Sequence, residues 1–390
     1  METKGLETKV HFSGKGKEYF GIWIVNILLS VITLGIYSAW AKVRNKRYFY
    51  GHTSIAGDSF EYHGTPMQIL KGRIIAVVCV VIWSVSEQIS PLLSLGLIVA
   101  FVLLLPLLSR SNARFDSAMT SFRNVHFSFH GTIAGAYWAI LGRGTLATLG
   151  FVAAMGAVVF AMQLNVIAGV VAMLVLLPAY VYLQAWSLVG IANYFANGYR
   201  YGERQFKADY TNAFYFKTYL IATLIWMVLM ALVVVSFVAI VGVNLVSNPE
   251  SFVDLMGHSD LVTFMIGYYL AFIAIGLAIG AYLKVKVRNY TFSQLVLEGK
   301  DAEEASQFSF SSTLTVKGYV SLVVTNFLLQ VVTIGLARPW VMVRTTHYLA
   351  ENTFVYGDLD SLVASDQDSN VKSAVSDEVV QAFDVDLGIG

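Results

Sequence analysis

The sequence predicts an all-α polytopic membrane protein, made of three helical hairpins and two related membrane segments near its ends, with short extended or strand-like segments on the cytoplasmic side. Three observations carry that reading. Hydrophobic residues form 56% of the chain, charged residues only 13%, and mean hydropathy is +0.64, against about 45–50% and about 25% for soluble domains. Apolar stretches at 74–90, 91–108, 144–162, 165–188, 217–245 and 261–283 are each long enough to cross a bilayer, which takes roughly 17–25 residues. Positive charge falls between pairs of these stretches and is missing from the links within them.

Taken in order, residues 1–18 mix Lys with Glu and lack an A-x-A cleavage pattern, so no secretory leader is expected there. Residues 19–350 read as a single membrane domain holding the hairpins 74–108, 144–188 and 217–283. The links inside the hairpins are Glu87–Ser90, Gln163–Asn165 and residues 246–260, the last with Glu250, Asp254 and Asp260 but no Lys or Arg. Between hairpins stand Lys42, Arg44, Lys46 and Arg47, then Arg110, Arg114 and Arg123, then Arg200, Arg204 and Lys207, then Lys284, Lys286 and Arg288. Basic loops stay in the cytoplasm, so each hairpin enters and leaves from that side. Residues 351–390 carry many acidic groups against one Lys372 and read as a solvated acidic tail.

The two remaining apolar stretches, 19–41 and 319–343, are copies of each other. At an offset of 300, residues 19–48 and 319–348 match at eleven of thirty positions without a gap. The shared residues include Asn26, Thr33, Gly35, Trp40, Arg44 and Tyr48, which meet Asn326, Thr333, Gly335, Trp340, Arg344 and Tyr348. Such repeats record duplication of a structural unit. Two topologies are open. Single crossings would make the copies inverted and place both termini outside. Re-entrant copies would break near Gly35 and Gly335 and return, staying shallow, because about 23 residues cannot cross a roughly 30 Å core twice.

Alternating stretches recur before the apolar runs: VHFSG from Val10, FEYHG from Phe60, VHFSFHG from Val125 and FSFSS from Phe308. Period two is the signature of a half-buried strand. A strand at VHFSFHG also separates His126 from His130 by roughly 13 Å at about 3.3 Å per residue, too far for one zinc ion.

No P-loop, hydrolase elbow, HExxH or paired-cysteine motif is present, so no cofactor or soluble catalytic site is indicated. Cys79, the one cysteine, excludes an intramolecular disulfide. Glu87 is the clearest ionisable residue in an apolar run and, with Asn26 and Asn326, a candidate path residue. The aromatic and basic clusters at 44–52 and 193–206 fit a membrane interface with anionic headgroups better than nucleic acid.

The stretch EYFGIWIVNILLSVITLGIYSAWAKVRNKRYFYGHTSIAGDSFEYHG resembles the signature of the YjgN-like family, and VKVRNYTF and RPWVMVRTTHYLAENT follow the same pattern. The resemblance implies a polytopic protein of the bacterial inner membrane, and implies no activity, cofactor or catalytic residue. On the residues alone, a transporter or lipid-handling protein is favoured by the duplicated, interrupted segments. The alternative is a non-transporting scaffold or envelope sensor that binds partners or anionic lipid through its basic cytoplasmic face.

Overall fold

The computed structural model describes residues 7–247, 259–299, 307–359 and 362. The acidic link residues Glu250 and Asp254, and the acidic tail beyond Leu362, lie outside these described residues.

Two short strands, β1 (Glu7–Lys9) and β2 (His11–Phe12), open the chain. They lead into α1 (Gly16–Ile32), α2 (Ser38–Gly51) and β3 (Thr53–Ile55). The pattern of strand, two helices and strand then repeats. β4 (Asp58–Tyr62) is followed by α3 (Pro66–Ile89), α4 (Pro91–Ala118) and β5 (Thr120–Phe122). β6 (Val125–Phe129) is followed by α5 (Ile133–Ala136), a π-helical turn (Tyr137–Gly142), α6 (Arg143–Leu164), α7 (Val166–Ala196) and β7 (Tyr199–Tyr201). β8 (Arg204–Lys207) precedes α8 (Asn212–Ser247), α9 (Ser259–Gln294) and β9 (Val296–Glu298), and β10 (Phe308–Ser312) precedes α10 (Val316–Val332), α11 (Arg338–Glu351) and β11 (Thr353–Tyr356). The described residues therefore form five copies of one β-α-α-β unit, where the sequence displayed two.

Within each unit the two strands pair antiparallel, and each unit also pairs with the next. β1 pairs with β11 and β2 with β3, while Val10, between them, donates its N–H to Thr353 O at 3.0 Å. The two ends of the eleven-stranded ladder, β1 and β2, are consecutive in the chain, so the ladder closes through the chain itself into a ring.

Every unit turns apolar strand residues toward the lumen. Phe60 lies opposite Phe122, Phe127 opposite Tyr201, Phe206 opposite Leu297, and Phe310 opposite Val355. Val10 and Ile55 complete the set in the first unit, and all ten belong to one packed cluster. Ring centroids of 4.9 Å for Phe60–Phe122, 5.1 Å for Phe127–Tyr201 and 5.9 Å for Phe206–Phe310 fall in the favourable range for aromatic pairs. The small barrel is thus filled by side chains, as barrels of this size are.

Helix starts are also repeated. Thr132 accepts a hydrogen bond from Gly135 N, Thr315 accepts one from Gly318 N, and Thr65 N donates to Gln68 Oε1. Each satisfies first-turn groups that a helix leaves orphaned. In the first unit Lys15 stands at that position, and the Tyr48 hydroxyl binds both Lys15 N and Lys15 O instead.

Units two to four hold the six helices long and apolar enough to cross a membrane. Units one and five do not cross. Each of α1 and α10 has 17 residues, about 25 Å at 1.5 Å per residue, and the chain turns back at once into α2 or α11. The repeated segment is a re-entrant helical hairpin in both copies, and the two are parallel. This decides between the two open topologies, since both copies begin and end at the same ring.

The reused Thr and Gly form the tip. Leu34 and Gly35 have positive φ, as do Ile334 and Gly335. A Cβ at either glycine would meet nothing within 4 Å, so backbone conformation alone calls for glycine. Leu34 and Ile334 are 94% and 92% exposed at the extreme tips, so the turns are built for hydrocarbon. Their backbone is closed internally: Gly35 N donates to Ser30 O, Ile36 N to Thr33 O, and Tyr37 N to Thr33 Oγ1. The second tip repeats this with Gly335 N to Gln330 O, Leu336 N to Thr333 O, and Ala337 N to Thr333 Oγ1. A turn in lipid needs that closure, because no water is there to supply it. Thr33→Val and Thr333→Val should each cost about 1–3 kcal/mol by orphaning one N–H. Thermal stability in lipid nanodiscs checks this, with Thr33→Ser expected to stay near wild type.

Because β1 and β11 are paired, both ends of the described chain lie on one side. Single cysteines replacing Ser13 and Asp358 in a Cys79→Ala background should label with an impermeant thiol reagent only after cells are opened. Labelling of either one from outside would contradict the ring.

Candidate functional site

The sequence-selected residues fall at two places, neither of them a cavity. Asn26 and Asn326 are buried where each re-entrant hairpin folds on itself. Asn26 Nδ2 donates to Asn45 Oδ1 at 3.1 Å, and Arg44 Nη1 donates to Asn26 Oδ1 and to the Tyr37 hydroxyl, both at 3.2 Å. In the other copy Asn326 Nδ2 donates to Thr345 Oγ1 at 3.1 Å and Arg344 Nη2 to Thr325 Oγ1 at 3.3 Å. The two hairpins pack together through Trp340, which lies 4.9 Å from Phe20 and against Gly16. Trp40 stacks on Tyr37 at 6.1 Å, Tyr48 on Tyr19 at 5.1 Å, and Tyr348 lies 6.2 Å from Tyr319. Glu87 is exposed near the far end of α3, away from all of these. None of them lines the cavity described next.

A cavity of about 640 Å³ is bounded by residues of units one to four. Its floor is the aromatic girdle, through Phe60, Phe127 and Phe206. Its walls are the returning helices: Asp116 and Ser117 from α4, Leu188, Ile191, Ala192 and Ala196 from α7, and Lys284, Val287, Arg288, Thr291 and Phe292 from α9. Tyr50, Tyr199, Tyr210, Tyr215 and Tyr219 complete the lining. Several are quasi-equivalent, such as Tyr50, Ser117, Ala196 and Phe292, so the cavity is generated by the repeat itself. Lys284 is ten residues from the end of α9, about 15 Å at 1.5 Å per residue. The cavity therefore spans the interfacial depth between the strand ring and the apolar spans.

Charge in it is uneven. Asp116 Oδ1 receives a hydrogen bond from Lys46 Nζ at 2.5 Å, so its charge is matched from outside the lining. Arg288 donates to Thr353 Oγ1 at 3.0 Å and lies 4.3 Å from the Phe292 ring centre. Its Nε is buried with no acceptor, and among the described residues no carboxylate pairs with it. Burial, reinforced by the Asp116 carboxylate and by Tyr50, pushes the Tyr199 hydroxyl above the ordinary tyrosine range. Burial likewise raises Tyr210 to about 12, with Tyr290 adding to it. The Tyr210 hydroxyl donates to Thr291 O at 3.4 Å, whereas the neutral Tyr199 hydroxyl can donate to a guest.

Sequence reasoning missed this site because its residues come from four units and sit at span ends, where charge reads as ordinary interfacial anchoring. The available signal was KVKVR, residues 284–288, which puts Lys284 and Arg288 one helical turn apart. Among the described residues no group of His, Cys, Asp and Glu could hold a metal ion.

The chain is 27% identical over 379 residues to inner membrane protein YjgN of Salmonella typhimurium, covering 93% of this chain and 92% of that protein. It is 27% identical over 380 residues to inner membrane protein YjgN of Escherichia coli O157:H7, covering 90% and 89%. No solved structure matches. Together with six span-length helices, these relatives make it a multi-pass protein of the inner membrane. The profile of DUF898, bacterial proteins of unknown function, matches residues 7–382, and the chain belongs to that family.

Proposed function

We propose that this protein handles lipid, taking an amphiphilic molecule from the cytoplasmic leaflet into this cavity. The cavity itself carries the proposal: its volume lies within the roughly 300–1,000 Å³ typical of ligand pockets, and its lining is mainly apolar with a few polar groups. The filled barrel beneath it speaks against an open aqueous pore along the ring axis.

The test is the lipid retained after purification in mild detergent, read by native mass spectrometry. Ala192→Trp places a large ring in the cavity wall and should abolish retention while the melting temperature holds. Equal retention by wild type and variant would overturn the reading.

A further inference from the structure

The lining of the cavity also specifies the chemistry of the ligand's polar end. We infer that Arg288, assisted by Lys284, binds an anionic group, a phosphate or a carboxylate, on the molecule that occupies the cavity. The inference rests on the lipid-handling reading for the ligand's apolar part, and on separate observations for its charge.

The first observation is the state of Arg288. A guanidinium carries five N–H donors in a fixed fork and stays charged in proteins. Here one donor meets Thr353 Oγ1, the ring of Phe292 covers one side, and Nε is buried without an acceptor. Arg288 is half-buried, and taking a charge even partly out of water is costly unless a counter-charge is supplied. The second is the placement of the two cations of the lining, Lys284 and Arg288. Lys284 and Arg288 are four residues apart in α9, so they present to the same face of the helix. A planar fork beside an ammonium suits a bidentate oxyanion. The third is the neutral phenol of Tyr199 in the same lining, which can donate to an anionic oxygen without adding charge.

The experiment compares two ligands with the same acyl chains, phosphatidic acid and diacylglycerol, added to the delipidated full-length protein, with inorganic phosphate as a third arm. Binding is read by native mass spectrometry and by thermal shift. Wild type should retain phosphatidic acid about tenfold better than diacylglycerol, and Arg288→Gln should erase that preference. Arg288→Lys, which keeps the charge and loses the fork, should fall between the two and guards against mere misfolding of the glutamine variant. Equal retention of both lipids by wild type, with loss of both in Ala192→Trp, would overturn the anion site and leave the lipid reading standing. Retention of neither lipid, with a thermal shift from inorganic phosphate alone that Arg288→Gln removes, would uphold the anion site and overturn the lipid reading. An Arg288→Gln variant that keeps the full preference for phosphatidic acid would overturn the inference outright.

Discussion

Phe122→Ala should lower stability by about 3–5 kcal/mol, the usual cost of deleting a buried phenylalanine. Phe122 is 4% exposed at the end of β5, with Phe60 at 4.9 Å and Tyr201 at 6.3 Å. Its carbonyl also accepts the Tyr201 hydroxyl at 3.0 Å. The void would open in the middle of the girdle, where rings from neighbouring strands leave little freedom to collapse. It would also remove support from Phe60 and Phe127, which form the cavity floor. Phe122→Leu keeps most of the volume and should cost about 1–1.5 kcal/mol. Thermal unfolding in detergent, followed by loss of monodisperse protein, checks the ranking. Equal melting of all three proteins would show that the girdle does not hold the ring together.

The second large effect concerns how units are joined. Asn289, near the end of α9, donates Nδ2 to Leu314 O at 2.8 Å and accepts Leu314 N at 3.2 Å. Asn193, in α7, makes the same two-way contact with Tyr210 O and Tyr210 N at 3.3 and 2.9 Å. In both cases a returning helix grips the backbone just beyond the first strand of the next unit. At the first two junctions a basic side chain does this work: Arg47 Nη2 to Gly64 O, and Arg110 Nε to Gly131 O. Asn289→Ala removes two hydrogen bonds and leaves a backbone N–H and C=O unsatisfied at a packed junction. The expected loss is about 2–3 kcal/mol, at roughly 1 kcal/mol per bond plus the desolvation of the orphaned groups. Asn193→Ala should behave alike, and because the sites join different units the double variant should be near the sum. Limited proteolysis would then show new cleavage at the loosened junction before global unfolding. Unchanged proteolysis and melting in both variants would mean that the strand ladder alone joins the units.

Much of the architecture was legible in the chain. The six spans among the described residues stand out because hydropathy is a local property, and their grouping into pairs follows from where the basic residues fall between them. The duplicated segment was visible as sequence, and its Thr and Gly were rightly suspected of marking a break, because only a self-satisfied turn can end in hydrocarbon. Other features were hidden. Units two, three and four share the plan of the first and last but few of their residues: where Asn26 and Asn326 stand, the middle units carry Ala76, Arg143 and Ala222. A position that needs only burial accepts many side chains, so the common ancestry of the fold left little common sequence. The strands, two to five residues long, are too short for periodicity to establish pairing.

By itself, then, the sequence determined the membrane address, the hairpins, the repeat and the absence of standard catalytic motifs. Each depends on composition or on spacing along the chain. Only the tertiary structure decided that five units close into a ring, that the repeated segments return without crossing, and that Arg288 and Lys284 share a cavity with tyrosines from distant units. Those facts rest on pairing between residues far apart in the chain, such as Thr8 with Val355. A half-buried cation without a carboxylate has meaning only once its surroundings are assembled.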